Sequence, residues 1–510
     1  MLKPLTITTT LLLCHLFTLC QKEDYVWLQG YNSEYGFDTA TNKWLGITKF
    51  DFNHQPMQMS YDSLGMYFNR TNVSYCNADG NLLFYSNGIH VRNGIDAVIE
   101  NADSLNWGPY LYLVYPYLIK RGYLTTQGIL ALPDPANKDQ YYIINTYLDS
   151  SATWIVVVDE VRYHVLNMAA NAGLGTMVEK NKTILNSILA WEMACVRHGN
   201  GRDWWIVVRK WDSNCYHRIL ISTDGPKELP ELYCGGLELY GGEIGAFATS
   251  PDGSRIAHLS NFNGVNLFDF DRCNGVLSNP VNIPVYNADT SWAPGGAAFS
   301  PNGRFLYISL TRLVLQYDLQ APDIAASVDT VAVYDGHQAP FGSYFYTMQL
   351  GPDGKIYESC GNGETVYHVI NYPDKKGDSC GFVQHGIDLP SYCLGVPNFP
   401  NYRLGTLPGS SCDTLGTSIS QLATRNPQLT IFPNPATEFV VIDYATTADW
   451  SKGELRLFIY DTKGAVIHEQ PLPMYSGFQK ITCTQWPSGV YQATIKRRET
   501  TIATGRVVKQ

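Results

Sequence analysis

Eleven histidines, twelve cysteines and 46 acidic residues are the groups from which a chain of 510 residues could build catalysis or metal binding. Their spacing announces neither. No two histidines stand at i, i+2 or i, i+4, and no His-Glu-x-x-His helix, phosphate-binding loop, Gly-x-Ser-x-Gly elbow or Gly-x-Gly-x-x-Gly fingerprint occurs. Asp269-x-Asp271 begins like a calcium loop, but Cys273 stands where an oxygen ligand is required and the glycine comes one residue late. His258 and His368 fall on expected strands and read as hydrogen-bonded sheet residues rather than ligands. Trp204-Trp205 and the tyrosine-rich stretch Tyr110 to Tyr123 could offer stacking surfaces to a sugar or peptide. Neighbours on a strand face opposite ways, so at least one of the two tryptophans belongs to the core. No metal, cofactor or catalytic residue is assigned.

Cys14 and Cys20 lie in an apolar N-terminal run, which leaves ten cysteines, none in a C-x-x-C pair. In an exported chain the default reading is disulfides. Neighbour pairing gives Cys195–Cys215, Cys360–Cys380 and Cys393–Cys412, although sequence alone fixes no connectivity.

The elements that would hold these groups follow a period. Ser250-Pro251-Asp252-Gly253, Ser300-Pro301-Asn302-Gly303 and Gly351-Pro352-Asp353-Gly354 each precede two strand-like runs, and their glycines are 50 and 51 residues apart. Proline presets φ and glycine accepts the positive φ of a hairpin turn. Weaker copies start at Asp79-Gly80, at the turn 133–138 and at Asn200-Gly201. A period of 40–50 residues made of short strands and turns predicts a β-propeller. Seven blades are favoured and six remain possible. A closing blade would pair Trp44 to Met59 with the segment after Cys380, leaving no open edge. The copies are similar to WD40-like and YVTN-like propellers in architecture, without a full Gly-His…Trp-Asp signature. Ser250-Pro-Asp-Gly is one residue short of a sialidase Asp-box and reads as a turn between strands. Gly395-Val-Pro-Asn-Phe-Pro-Asn-Tyr-Arg-Leu-Gly405 resembles a segment that closes propellers in surface proteins of gliding-type bacteria.

The ends differ from the middle. Lys3 and the run Leu5 to Cys20 fit a signal peptide over 1–20, cleaved around Cys20–Glu23; a lipidated Cys20 is the alternative. The propeller is placed at 25–405, a Ser/Thr/Gly/Asn-rich linker at 406–428, and a second β domain at 429–510 with seven strand candidates, an immunoglobulin-like sandwich. Within it, Phe432-Pro433-Asn434-Pro435-Ala436, the run to Tyr460-Asp461-x-x-Gly464, then Gly489-Val490-Tyr491, and the end Gly505-Arg-Val-Val-Lys509 resemble the type A C-terminal sorting domain of type IX secretion. That resemblance implies Sec export, passage across the outer membrane, removal of the domain, and release or attachment at the cell surface.

Charge fits this division. The chain carries 36 Lys+Arg and 46 Asp+Glu, −10 overall. Residues 427–510 hold 9 basic and 7 acidic residues, so the −12 elsewhere makes the propeller a poor partner for nucleic acid or anionic lipid. No run after the first twenty residues is long enough to span a membrane. Five Asp-Ser/Thr-apolar triplets, at Asp38, Asp62, Asp103, Asp329 and Asp413, resemble bacterial O-glycosylation sites, a three-residue match that chance supplies cheaply. The expected partners are the type IX machinery and an extracellular ligand. The propeller is expected to bind a glycan, peptide or protein. The alternative is a hydrolase or lyase whose acids converge on the central channel from several blades.

Overall fold

The structure is a computed structural model that describes residues 21–39, 42–68, 70–108, 111, 122–149, 157–238, 245–260, 263–285, 295–413, 428–432, 434–445, 455–472, 476–497 and 500–510. The segment 1–20, Tyr110, Trp154, most of the linker and Pro433 lie outside them. The chain divides into two compact units, Met1–Leu407 and Pro408–Gln510.

The first unit is a β-propeller. Its regular members are four-stranded antiparallel meanders: Gly245–Thr249, Arg255–Ser260, Gly264–Asp271 and Val276–Ile283, then Gly296–Phe299, Phe305–Leu310, Leu313–Asp318 and Asp329–Val333. Phe345–Leu350, Ile356–Cys360, Glu364–Ile370 and Phe382–Cys393 repeat the pattern. Each first strand packs beside the first strand of the next sheet, and the strands bury both faces, so they read as continuous apolar runs such as Phe305–Leu310. Three-stranded sheets, Val26–Gly30 with Ile47–Asp51 and Gln58–Asp62, and Val73–Cys76 with Leu82–Ser86 and Val91–Asn93, stand at the N-terminal side.

The repeated turns share one geometry. Gly253, Gly303 and Gly354 have φ of 72°, 71° and 80°, and each donates its N–H to the carbonyl three residues back, at 2.8, 2.9 and 3.0 Å. Gly80 and Gly201 make the same bond at 2.9 Å. Ser250 and Ser300 each use their Oγ to accept the N–H five residues on, which fixes the strand start.

One strand departs from the period. Thr176–Arg197 runs 22 residues, pairing with Val157–Asn167 through its first part and with Trp204–Lys210 through its last, from Leu189 to Arg197. It thereby fuses two meanders into one sheet that extends from Ile129–Pro133 to Gly225–Glu228.

The closure differs from the expected one. Only Trp44 pairs with the strand after Cys380, through a parallel bridge to Ser391, and Phe37–Asp38 extends that edge. Residues 47–62 instead form a hairpin on Val26–Gly30. Ile47 and Phe50 are fully buried in that hairpin, which explains why it joins the N-terminal strand.

The second unit is a β-sandwich. Gln428–Phe432, Phe439–Ala445 and Ser476–Thr482 form one sheet; Val466–Leu472, Leu455–Tyr460, Gly489–Arg497 and Thr500–Lys509 form the other. Alternate residues Leu455, Leu457 and Ile459 face a core shared with Val440, Ile442, Ile481, Ala493 and Ile495.

Candidate functional site

The centre of the ring is filled by the chain itself. Residues 395–407 form a strap bonded to strands and turns of several of the propeller's sheets. Val396 N–H donates to Thr347 Oγ1 at 3.2 Å, and Tyr367 OH donates to the Gly395 carbonyl. Asn398 donates its backbone N–H to Asn72 O at 3.1 Å and its amide to Ile129 O at 3.0 Å. Tyr402 is 1% exposed, donates its OH to Ala131 O at 2.7 Å, and meets Tyr75 and Trp204 edge to face at 5.5 and 5.8 Å. Phe399 packs on Trp27 at 5.9 Å. Arg197 donates to the Tyr402 carbonyl at 2.6 Å, Arg272 to that of Gly405 at 2.6 Å, and Leu407 N–H to Gly199 O at 2.7 Å. Arg403 forms a bidentate pair with the buried Asp24 at 2.5 and 2.8 Å, tying the strap to the start of the domain.

Cavities remain beside the strap. One of about 70 Å³ lies between Asn398, Phe399 and Pro400 and strand residues that include Met193, Phe247, Ala297 and Met348. Another of about 230 Å³ is lined by Phe399, Pro400, Asn401 and Arg403 together with Asp24, Thr249, Gln349 and Leu350. Among the described residues no group of three or more His, Cys, Asp or Glu is arranged to hold a metal ion.

The groups singled out in the sequence are engaged by neighbours within the fold. His258 lies between Glu192 Oε1 at 2.9 Å and Tyr216 OH at 3.2 Å, stacked on Phe247 at 4.1 Å, and burial lowers its pKa. His368 accepts the His385 N–H at 2.9 Å and contacts Ser343 O at 3.0 Å; burial pushes its pKa down to about 4. Trp204 and Trp205 are both core, at 0% and 4% exposure. Asp271 spends its carboxylate on its own turn, accepting from Cys273 N–H at 2.8 Å and Asn274 Nδ2 at 2.7 Å.

The expected disulfides are corrected. Cys215 bonds Cys234, its direct partner across two antiparallel strands. Cys195 is a buried free thiol, separated from the Cys215 strand by the whole of Trp204–Lys210. Cys360 and Cys380 are free as well: Cys380 sits near Phe382, which pairs through Ile370 with Ile356, at the opposite end of the strand from Cys360. Cys393 is free and buried, whereas Cys412 and Cys273 are disulfide-bonded. Spacing along the chain is a poor guide where a strand intervenes.

In the second unit the sequence blocks converge on the terminal strand. Asn434 donates its amide to Arg506 O and accepts the Val508 N–H through Oδ1, both at 2.8 Å. Ala436 N–H donates to Val508 O at 2.7 Å, and Gln510 N–H to Ala436 O at 2.9 Å. Gly489, Val490 and Tyr491 pair with Lys509, Val508 and Val507. Tyr460 pairs with Gln492, and Asp461 caps the next turn by accepting the Lys463 and Ala465 N–H groups at 2.8 and 2.9 Å. Gly464 completes that turn at φ 80°. Tyr460, Asp461, Gly464, Tyr491 and Arg506 line one concavity of about 860 Å³. Residues 430–510 match the family described as the secretion system C-terminal sorting domain. The C-terminal unit is such a sorting domain.

The sorting domain implies secretion, and no helix among the described residues is long and apolar enough to cross a membrane. No curated protein matches the chain in sequence. Among solved structures the chain resembles the periplasmic gluconolactonase of Pseudomonas aeruginosa, at 12% identity over 74% of this chain and 96% of that one, with a TM-score of 0.38. It also resembles Sqt1 of Saccharomyces cerevisiae, at 10% identity over 79% and 88%, TM-score 0.34. The propeller of Dos1 matches at 12% identity over 74% and 86%, TM-score 0.38. Likenesses at this level carry no argument about activity.

Proposed function

We propose that this is an exported protein whose propeller binds an extracellular glycan, peptide or protein, and whose sorting domain addresses it to the type IX machinery and is then removed. A cleaved signal peptide over residues 1–20 starts the route. The propeller has seven blades in this reading, with Thr176–Arg197 ending one and beginning the next. The observation that carries the preference for binding is the strap. Channel-sited catalysis needs side chains from several blades to meet a substrate at the axis, and Gly395–Gly405 supports binding by standing there instead. Recognition is then left to the outer faces.

Deleting residues 427–510 in a host with type IX secretion tests the export arm. The truncated chain should fold and stay in the periplasm, while the full chain reaches the surface or medium. At 57.0 kDa for 510 residues, loss of those 84 residues removes about 9 kDa, which mass spectrometry reads directly. Peptides reaching Gln510 on the exported form would overturn the processing step.

A further inference from the structure

The edge hairpin of the propeller turns its apolar side outward. In Phe37–Asp38 and Lys43–Trp44, Asp38 faces Lys43 and Phe37 faces Trp44 across the pair. The polar pair anchors the hairpin: Lys43 Nζ contacts Asp388 Oδ1 at 2.7 Å and Leu389 O at 2.6 Å, and Tyr392 OH donates to Asp38. The aromatic pair is left in solvent, Trp44 at 53% and Phe37 at 41% exposure, with ring centroids 5.0 Å apart at 62°. Tyr61, also exposed, lies over Gly46, where a Cβ would come within 2.4 Å of its ring. Gly46 thus leaves room for the Tyr61 ring against the chain two residues after Trp44, where its OH donates to Leu45 O at 3.4 Å.

Exposed aromatics held on anchored strands mark interaction sites, because burying them elsewhere would have been favourable. The charge around them selects the partner. The Lys43 ammonium and the Asp388 carboxylate neutralise each other in an ion pair at 2.7 Å, which leaves the exposed carboxylate of Glu34, three residues before Phe37, as an acceptor. An acceptor without a free cation repels phosphate, sulfate and uronate, and suits the hydroxyl donors of an uncharged sugar whose C–H face can lie on Trp44. We infer that Phe37, Trp44 and Tyr61 form a platform for a neutral glycan chain, an assignment that rests on the binding reading above and narrows its ligand.

The test is native electrophoresis of the full chain through gels cast with soluble neutral polysaccharides (mannan, laminarin, hydroxyethylcellulose), with alginate as the anionic control. At least one neutral gel should retard the protein. Trp44→Ala should raise the apparent Kd at least tenfold and Phe37→Ala by less, with melting unchanged because both rings are exposed. Retardation that survives Trp44→Ala removes this platform and keeps the binding reading. Retardation by alginate alone, or by no gel, overturns the glycan assignment and leaves export, read separately by mass, untouched.

Discussion

Tyr402 is the position at which the strap is most easily tested. Its ring is almost wholly buried among Tyr75, Trp204 and Phe399, and its hydroxyl makes one hydrogen bond to the Ala131 carbonyl. Tyr402→Phe keeps the ring and removes that bond, worth about 1 kcal/mol. Tyr402→Ala also removes a ring from a packed site, adding roughly 3–5 kcal/mol, since the surrounding strands cannot collapse onto the gap. A propeller of this size unfolds with an entropy of about 0.8 kcal/mol/K, scaled from about 2 cal/mol/K per residue, so the shifts in Tm are about 1 °C and about 5–8 °C. Scanning calorimetry of the full chain, following the larger transition, separates the two values. If Tyr402→Ala melts within a degree of wild type, the strap is a surface tail and the channel is open. The argument against a channel-sited reaction then fails with it.

Gly253, Gly303 and Gly354 each replaced by Val should cost more than about 1 kcal/mol, because a β-branched residue resists positive φ. Gly253→Val should be the worst of the three, since its Cβ would meet Val196, Arg272 and Leu404 at 2.9–3.0 Å whereas the other two have 3.9 Å of room; urea denaturation ranks them. His368 and Glu364 oppose each other in pH dependence. His368 titrates at about 4 rather than 6.5, so its contribution, up to roughly 3 kcal/mol, is present above pH 6.5 and lost as pH falls toward 4. Burial raises Glu364 from 4.5 to about 7, so its contribution is present below 4.5 and lost as pH rises through 7. His368→Phe should flatten the acid limb of the stability profile and Glu364→Gln the neutral one; unchanged limbs would refute either assignment. Finally, Cys76, Cys195, Cys360, Cys380, Cys393 and Cys483 should resist Ellman's reagent in the native protein and react in denaturant, because all six are buried thiols.

How much of this was legible depended on whether the signal was local. The turns at Gly253, Gly303 and Gly354 and the sandwich strands were readable because proline, glycine and alternation act over a few residues. The motif blocks were readable too, since Asn434, Asp461 and Gly464 owe their places to bonds within one small domain. The disulfide partner of Cys215 was not, because strand pairing brings in Cys234 and places Trp204–Lys210 between it and Cys195. Nor was the strap: Gly395–Gly405 shows prolines and a closing motif, but nothing in it states that Asn398 and Tyr402 reach strands some 270 residues earlier. The exposed ring pair at Phe37 and Trp44 was equally hidden, since alternation predicts which side chains share a face and not which face is wet.

The strap also has a mechanical side. The chain that leads to the sorting domain leaves the propeller at Leu407, so any traction applied to that domain during export enters the propeller along Gly395–Leu407. The load would fall first on the bonds at Gly199 and Arg272, then on the Asp24–Arg403 pair, before it reached the Arg197 bond to Tyr402. These contacts lie in series, so a steady pull would extract the core thread residue by residue rather than shear a sheet at once. A propeller towed by this thread would lose its axis before any blade opened, and cutting the chain beyond Leu407 relieves the tension while leaving the thread in place.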